Sequence, residues 1–321
     1  MKIQLSDHFT YQRLLHFCLP SIVMMIFTSI YGVVDGLFVS NFVGKIPFAA
    51  INLVMPFIMI LGGFGFMIGT GGSALIAKTL GEGRHKLANR YFSMLIIMTV
   101  ILGFFLTTIG IVFARRVSIL LGATDVMLDD CVIYLRTVLL FISPFMLQNV
   151  FQSFLVTAQK PHAGLIVTII AGLTNMSLDA LFIVVFRWGV AGAALATGIS
   201  QCIGGLLPLI LFLGKNDSLL HLVPTRLEWR PFFLSCTNGM SELMGNISSS
   251  IVSMLYNFQL LNYAGENGIA AYGVLMYVQF IFIAVFFGYT IGVGPVIGYH
   301  YGAGNHAELK NLLRKSLKLN I

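Results

Sequence analysis

The sequence of 321 residues has little charge. Only 10% of it is Asp, Glu, Lys or Arg, against about 25% in an average soluble domain, while 57% is hydrophobic and the mean hydropathy is +0.90. That excludes an ordinary soluble globule and leaves an all-α polytopic membrane protein. Cysteine is scarce too. Cys18, Cys131, Cys202 and Cys236 are far apart and form no CxxC pair, so neither a zinc site nor a disulfide framework is indicated. There is no HExxH, no GxSxG and no GxxxxGK[ST]. Hydrolase, metalloprotease and nucleotide-driven chemistry are thereby set aside, and any pumping is expected to run on an ion gradient or on a partner, with no cofactor.

What is present is a series of apolar runs divided by sharp polar breaks. Eight spans are expected, near 14–40, 48–77, 91–113, 132–158, 163–186, 190–213, 232–262 and 269–300, and a ninth begins near 306. The first run is too long for a signal peptide and lacks a small-residue cleavage pattern, so it is read as a retained span. Lys and Arg divide 14 to 5 between alternate loops when the N-terminus is placed inside. This predicts a cytoplasmic N-terminus in a cell (plasma) membrane. It also accounts for the net charge of +7 without a nucleic-acid partner.

A shift of 221 residues aligns 29–85 with 250–306 and superposes Gly44 on Gly265, Gly71 on Gly292, Gly81 on Gly302, Gly83 on Gly304 and His85 on His306. Six spans precede the second copy, so the two copies run in the same direction. Two pseudo-symmetric six-helix lobes are expected. Residues 1–215 form the first, and 216–321 form the start of the second, with helices 7 and 8 and part of 9. By the repeat about four further spans belong to the second lobe, which is incomplete here. The basic stretch 214–230, with Pro224, is the linker. Pro20, Pro56, Pro144, Pro208 and Pro295 interrupt spans and are expected at kinks or gates.

Three acidic residues lie inside spans: Asp35, Asp179 and Glu242. A carboxylate at membrane depth costs about 2.5–3.5 kcal/mol on insertion scales, so it faces a bundle interior or a water-filled cavity. Asn175 and Asp179 are four apart and share a helix face. Asp35, Asp179 and Thr197 all lie roughly 8–11 Å in from the outer ends of their spans, at 1.5 Å per residue, with Asn175 one turn deeper. Two carboxylates, an amide oxygen and a hydroxyl form an all-oxygen set suited to a hard cation, or to one shared proton. No Lys or Arg lies at this depth. The plainer alternative is that each acid is a hydrogen bonder between packed helices, and for Glu242 a contact to a cationic substrate is the functional reading. Gln148, Asn149 and Gln152 cluster on span four and serve either as interhelical glue or as part of a binding cavity, with Gln148 the substrate-binding candidate.

Taken together, Pro20 and Asp35, the stretch Gly44 through Pro56, the Gly81-x-Gly83 loop, Asn175-x-x-x-Asp179, Thr197 and the run Gly294-Pro295-Val296-Ile297-Gly298-Tyr299-His300-Tyr301-Gly302 resemble the MATE (multidrug and toxic compound extrusion) family, in its bacterial multidrug-export branch. The resemblance covers nearly the whole chain. It implies a monomeric bundle of two lobes around a central cavity, exporting organic, often cationic, compounds or drugs across the lipid bilayer against Na⁺ or H⁺. By motif match Asp35, Asn175, Asp179 and Thr197 would hold the coupling cation (Na⁺) or proton, and Glu242 would be the acid of the second lobe. A flippase for lipid-linked oligosaccharides shares the broader fold, but its cavity calls for basic side chains at depth. A non-transporting remnant is the reading from another class.

Overall fold

A computed structural model describes residues 3–214 and 218–319. Lys2 and Lys215, both counted above on the inner side, and the 215/216 lobe boundary lie outside the described residues. The described residues fold into helices only. In chain order these are α1 (Tyr11–Phe38), α2 (Lys45–Gly81), α3 (His85–Leu120), α4 (Leu128–Leu140), α5 (Ile142–Thr157), α6 (Pro161–Asp179), α7 (Gly189–Leu213), α8 (Trp229–Asn238), α9 (Met240–Gly302) and α10 (His306–Leu319). Local signals set the ends. The Thr10 hydroxyl accepts from the Arg13 N–H and caps α1, and Pro161 starts α6, where its missing N–H costs nothing.

Six of the helices are long and apolar enough to cross a membrane, and the α4–α5 pair, bent by 58°, makes a seventh. The bend falls at Phe141, just before Ser143-Pro144. The 63 residues of α9 are far more than one crossing needs. The helix turns back at Gly265, whose φ of 63° is open to glycine. Span seven is itself interrupted at Gly239, between α8 and α9. With these breaks the eight expected spans are accounted for. The stretch after 306 is amphipathic rather than apolar: α10 buries Leu312 and exposes Leu313, Arg314, Leu317 and Lys318.

The repeated glycines fall into two physical classes. Gly44 and Gly265 have φ of 132° and 63°, and Gly83 and Gly304 have 76° and 68°, so both pairs make turns that side chains rarely allow. The other two pairs permit helices to touch. A Cβ on Gly81 would lie 2.1 Å from the Tyr299 carbonyl oxygen, and one on Gly302 would lie 2.0 Å from that of Lys78. Tyr299 is the 221-residue mate of Lys78, so the contact is reciprocal. Gly71 abuts Gly239 and Gly292 abuts Cys18 in the same way, because Gly239 is the mate of Cys18. Where mates meet each other, as Asn52 and Gly273 do, and Ala77 and Gly298, the contact sits on the pseudo-two-fold axis between α2 and the second arm of α9.

At the end of the bundle that carries the N-terminus, residues 3–10 form a strap across α10. Leu5 and Phe9 are fully buried with Phe17, Cys18, Val296 and Leu312. Glu308 is also buried and accepts hydrogen bonds from the Phe9 N–H (2.9 Å) and the Asn311 side chain (2.9 Å), while His8 Nδ1 lies 2.6 Å from its Oε2. The carbonyl of Phe9 accepts from Asn311 and Lys315.

Candidate functional site

The sequence places Asp35 and Asp179 on different spans, and the fold brings them together. Asp35 lies near the far end of α1, and Asp179 is the last α-helical residue of α6. These helices pack tightly because Gly172 on α6 faces the rings of Phe27 and Tyr31; a Cβ there would lie 2.6 Å from Phe27. Both carboxyls are buried, Asp179 completely, and they lie close enough for each to feel the other. Even so, both Asp179 oxygens and Asp35 Oδ1 have no partner of hydrogen-bonding geometry among the described residues.

Each carboxyl is followed by a π-helical turn, Val39–Val43 after α1 and Ala180–Val185 after α6. The widened turn changes the register beyond the acid, a feature frequent at functional sites. In α1 the Val39 N–H is shared between the carbonyls of Asp35 and Gly36.

On α6 and the adjacent α7 there are more buried polar atoms lacking partners among the described residues. Asn175 is buried one turn below Asp179, with neither its Oδ1 nor its Nδ2 satisfied. Thr197, on the adjacent α7, has a buried hydroxyl without a partner, and so has the amide oxygen of Gln201 one turn on. No hydrogen bond ties Thr197 to either carboxyl among the described residues. Such orphaned groups cost about 1–3 kcal/mol each, and unsatisfied groups on packed helices call for an explanation beyond core packing. Tyr31 lies beside Gln148 and within reach of the Asp35 charge. Gln148 joins Gln152 and Thr168 around a cavity of about 10 Å³, space for one water. The sequence alone does not single out Tyr31 or Gln201. An aromatic and an amide in apolar runs look like many others there, and only helix packing brings Tyr31 near Asp35 and buries the Gln201 amide oxygen.

The site has no fixed counter-ion. The ion pairs of the described residues, His8–Glu308, Lys78–Glu82 and Arg84–Glu82, all lie at the N-terminal end. No group of three or more His, Cys, Asp or Glu able to hold a metal is found among the described residues. The oxygens near the acids thus form an anionic, partly unsatisfied set, with chemistry suited to a proton or a weakly held hard cation.

Glu242 is not part of this cluster. It opens α9 just after the Gly239 break, where Gly239 lies against Met67 of α2 and Gly63 lies against Leu243 and Asn246. It is half-buried, and no ion pair holds it among the described residues. The two substrate candidates are therefore apart: Gln148 belongs with the carboxyl cluster, and Glu242 lies beside the α2–α9 interface.

Comparison with known proteins agrees with this architecture. The chain is 27% identical over 309 residues to the multidrug export protein MepA of Staphylococcus haemolyticus, covering 95% of this chain and 67% of that one. It is 25% identical over 308 residues to MepA of Staphylococcus aureus, with the same coverage. Among solved structures, the MATE multidrug transporter DinF-BH superposes with a TM-score of 0.88 at 25% identity, over 98% of this chain and 72% of that one. An outward-facing multidrug resistance MATE family transporter of the MOP superfamily superposes with a TM-score of 0.87 at 22% identity, over 97% and 70%. The MatE family model matches residues 20–181 and 243–321. The chain belongs to the MATE family of transporters.

Proposed function

We propose that this chain serves efflux of organic compounds, often cationic, in antiport with H⁺ or Na⁺, and that Asp35 and Asp179 are the coupling carboxyls, with Asn175 and Thr197 as supporting oxygens. The observation that carries this is the pair of neighbouring, buried carboxyls with no ion-pair partner among the described residues. Two such groups stay ionised together in a dry site only with a bound cation, and otherwise one of them takes up a proton. Entry of that cation relieves their repulsion and lets α1 and α6 repack at the π-turns. Drug affinity and ion affinity then oppose each other by the same factor, as linkage requires. Glu242 and Gln148 are assigned to substrate contact, Glu242 as the anionic partner of a cationic compound. The relatives, named as multidrug export proteins, support the substrate class.

In this reading the basic end of the bundle is cytoplasmic in a plasma membrane, residues 1–215 and 216–321 belong to two lobes, and the chain works as a monomer. The reciprocal Gly81 and Gly302 contacts support the two-lobe assignment. The test is Asp179→Asn, which keeps volume and removes charge. Reconstituted chains carrying it should insert normally yet lose uptake of a fluorescent organic cation driven by a pH or Na⁺ gradient. Wild-type gradient dependence in this variant would reject the site.

A further inference from the structure

At the N-terminal end of the bundle, α2, α3 and the start of α8 enclose a crevice of about 510 Å³. Its walls carry three cations, Lys78, Arg84 and Arg230, against two carboxylates, Glu82 and Glu228, and two aromatic rings, Tyr91 and Trp229. Glu82 is already engaged by Arg84 and by Lys78 at 4.0 Å. That leaves two available cations: Arg230, exposed and without an ion-pair partner among the described residues, and Lys78, half-exposed and held only at the 4.0 Å limit of an ion pair.

Beside the crevice α8 turns an apolar face outward. Trp229 and Phe233 are 61% and 60% exposed, and Leu227 and Leu234 are exposed beside them. Trp229, Phe232 and Phe233 pack edge-on and tilted as one aromatic cluster. A tryptophan next to arginine at the end of a membrane span is the usual arrangement at a head-group boundary.

We infer that this crevice binds the head group of an anionic phospholipid, with its phosphate on Arg230 and Lys78 and its acyl chains along the apolar face of α8. Three features point to a lipid rather than to a free anion. The cationic wall is continuous with an exposed apolar one, so a ligand with both characters fits both. The crevice sits at the end of the spans, where head groups lie. The guanidinium of Arg230 can meet two phosphate oxygens at once. The emptiness is not forced by the fold either, because the equivalent space at the other half of the repeat is filled by protein.

The chain has two tryptophans, which makes the test direct. Trp188→Phe keeps an aromatic ring against Phe182, where Trp188 stacks at 4.9 Å, and leaves Trp229 as the sole reporter. The chain is reconstituted in phosphatidylcholine vesicles containing an equal fraction of phosphatidylcholine or phosphatidylglycerol brominated near the head-group end of the acyl chains. Brominated phosphatidylglycerol should associate with Trp229 about fivefold more strongly, as expected of about one cation's worth of surface attraction. Lys78→Gln with Arg230→Gln should bring that preference close to one, Arg230→Lys should keep most of it, and Arg314→Gln with Lys318→Gln on α10 should leave it unchanged. Equal quenching by the two lipids overturns the inference. So does loss of the preference in the α10 variant, which would make it a general surface potential. If inorganic phosphate at tens of millimolar abolishes the preference when ionic strength is held constant, the crevice takes free phosphate and the lipid assignment falls.

Discussion

Two places in this molecule are related by the 221-residue shift and have opposite characters. One is the crevice between α2, α3 and α8; the other is the strap closed over α9 and α10. Arg230 corresponds to Phe9, Trp229 to His8, Tyr91 to Leu312 and Thr79 to His300. Arg230 and Trp229 are exposed around a space of about 510 Å³, while Phe9, Leu312 and His300 are all 2% exposed or less. The backbone scheme is shared. The strap of the first repeat lies on α10, and the linker before the second repeat lies on α3 through hydrogen bonds from the His221 N–H to Asn89 (3.1 Å) and from the Val223 N–H to Ser93 (2.9 Å). One scaffold thus yields a sealed joint or an open one, and the strap position held by Phe9 in the first and Arg230 in the second is buried in one and exposed in the other. In the sealed joint burial raises the pKa of Glu308, but the hydrogen bonds from Phe9, Asn311 and His8 outweigh it and hold the carboxyl below the ordinary Glu range.

The contrast can be broken most directly at that strap position. Phe9→Ala should destabilise the chain by about 3–4 kcal/mol, as for a buried phenylalanine, whereas Arg230→Ala should stay within about 0.5 kcal/mol as a surface change; thermal unfolding in detergent measures both. Equal costs would mean that the strap is not a packed joint. Next come the glycines that serve both halves alike. Gly81→Ala and Gly302→Ala should each cost about 1–3 kcal/mol by forcing α2 and α9 apart. The double variant should cost clearly less than the sum, because one separation of the same two helices accommodates both methyls. Strict additivity would deny the reciprocal contact.

Glu308→Gln should cost about 2 kcal/mol, since it removes charge from a buried acceptor of several hydrogen bonds. The pH dependence has a definite sign. A carboxyl with a lowered folded pKa stabilises fully above its ordinary value of 4.5, and that stabilisation is lost as pH falls through the lower folded value. The wild-type chain should lose stability over that acid range, and Glu308→Gln should flatten the loss, as read from unfolding midpoints against pH. The smallest effect is expected from Arg230→Phe, which copies the sealed joint into the open one. Stability should change by no more than about 0.5 kcal/mol, while the preference of Trp229 for anionic lipid should fall.

Much of the architecture is legible in the sequence because membranes impose simple rules. Apolar runs mark the spans, and the shared glycines mark the repeat. The structure adds why those glycines matter: two pairs make left-handed turns and two permit backbone contact. Asp35 and Asp179 can be paired by depth, because helix rise is constant. The π-turns after them have no compositional signal, since they arise from how the helix ends pack. Tyr31 and Gln201 are hidden among similar residues. The ion pair between His8 and Glu308 spans 300 positions, and no local pattern can announce it. The amphipathic α10 reads as the start of a span in the sequence, because the repeat places it where α3 begins.

The pair Asn52 and Gly273 has a consequence for how such a protein is assembled. A Cβ on Gly273 would lie 2.7 Å from the Asn52 side chain, at a place where each half faces its own copy. In a dimer of identical subunits the residue on the axis must meet itself. Two asparagines would collide, and two glycines would leave a gap. Joining both copies in one chain removes that constraint, so a large residue and a small one can divide the shared space. The same holds for Ala77 and Gly298, where the would-be contact is 3.0 Å. Close packing on the axis of α2 and α9 is therefore a dividend of covalent fusion, open to a duplicated chain and closed to a pair of equal ones.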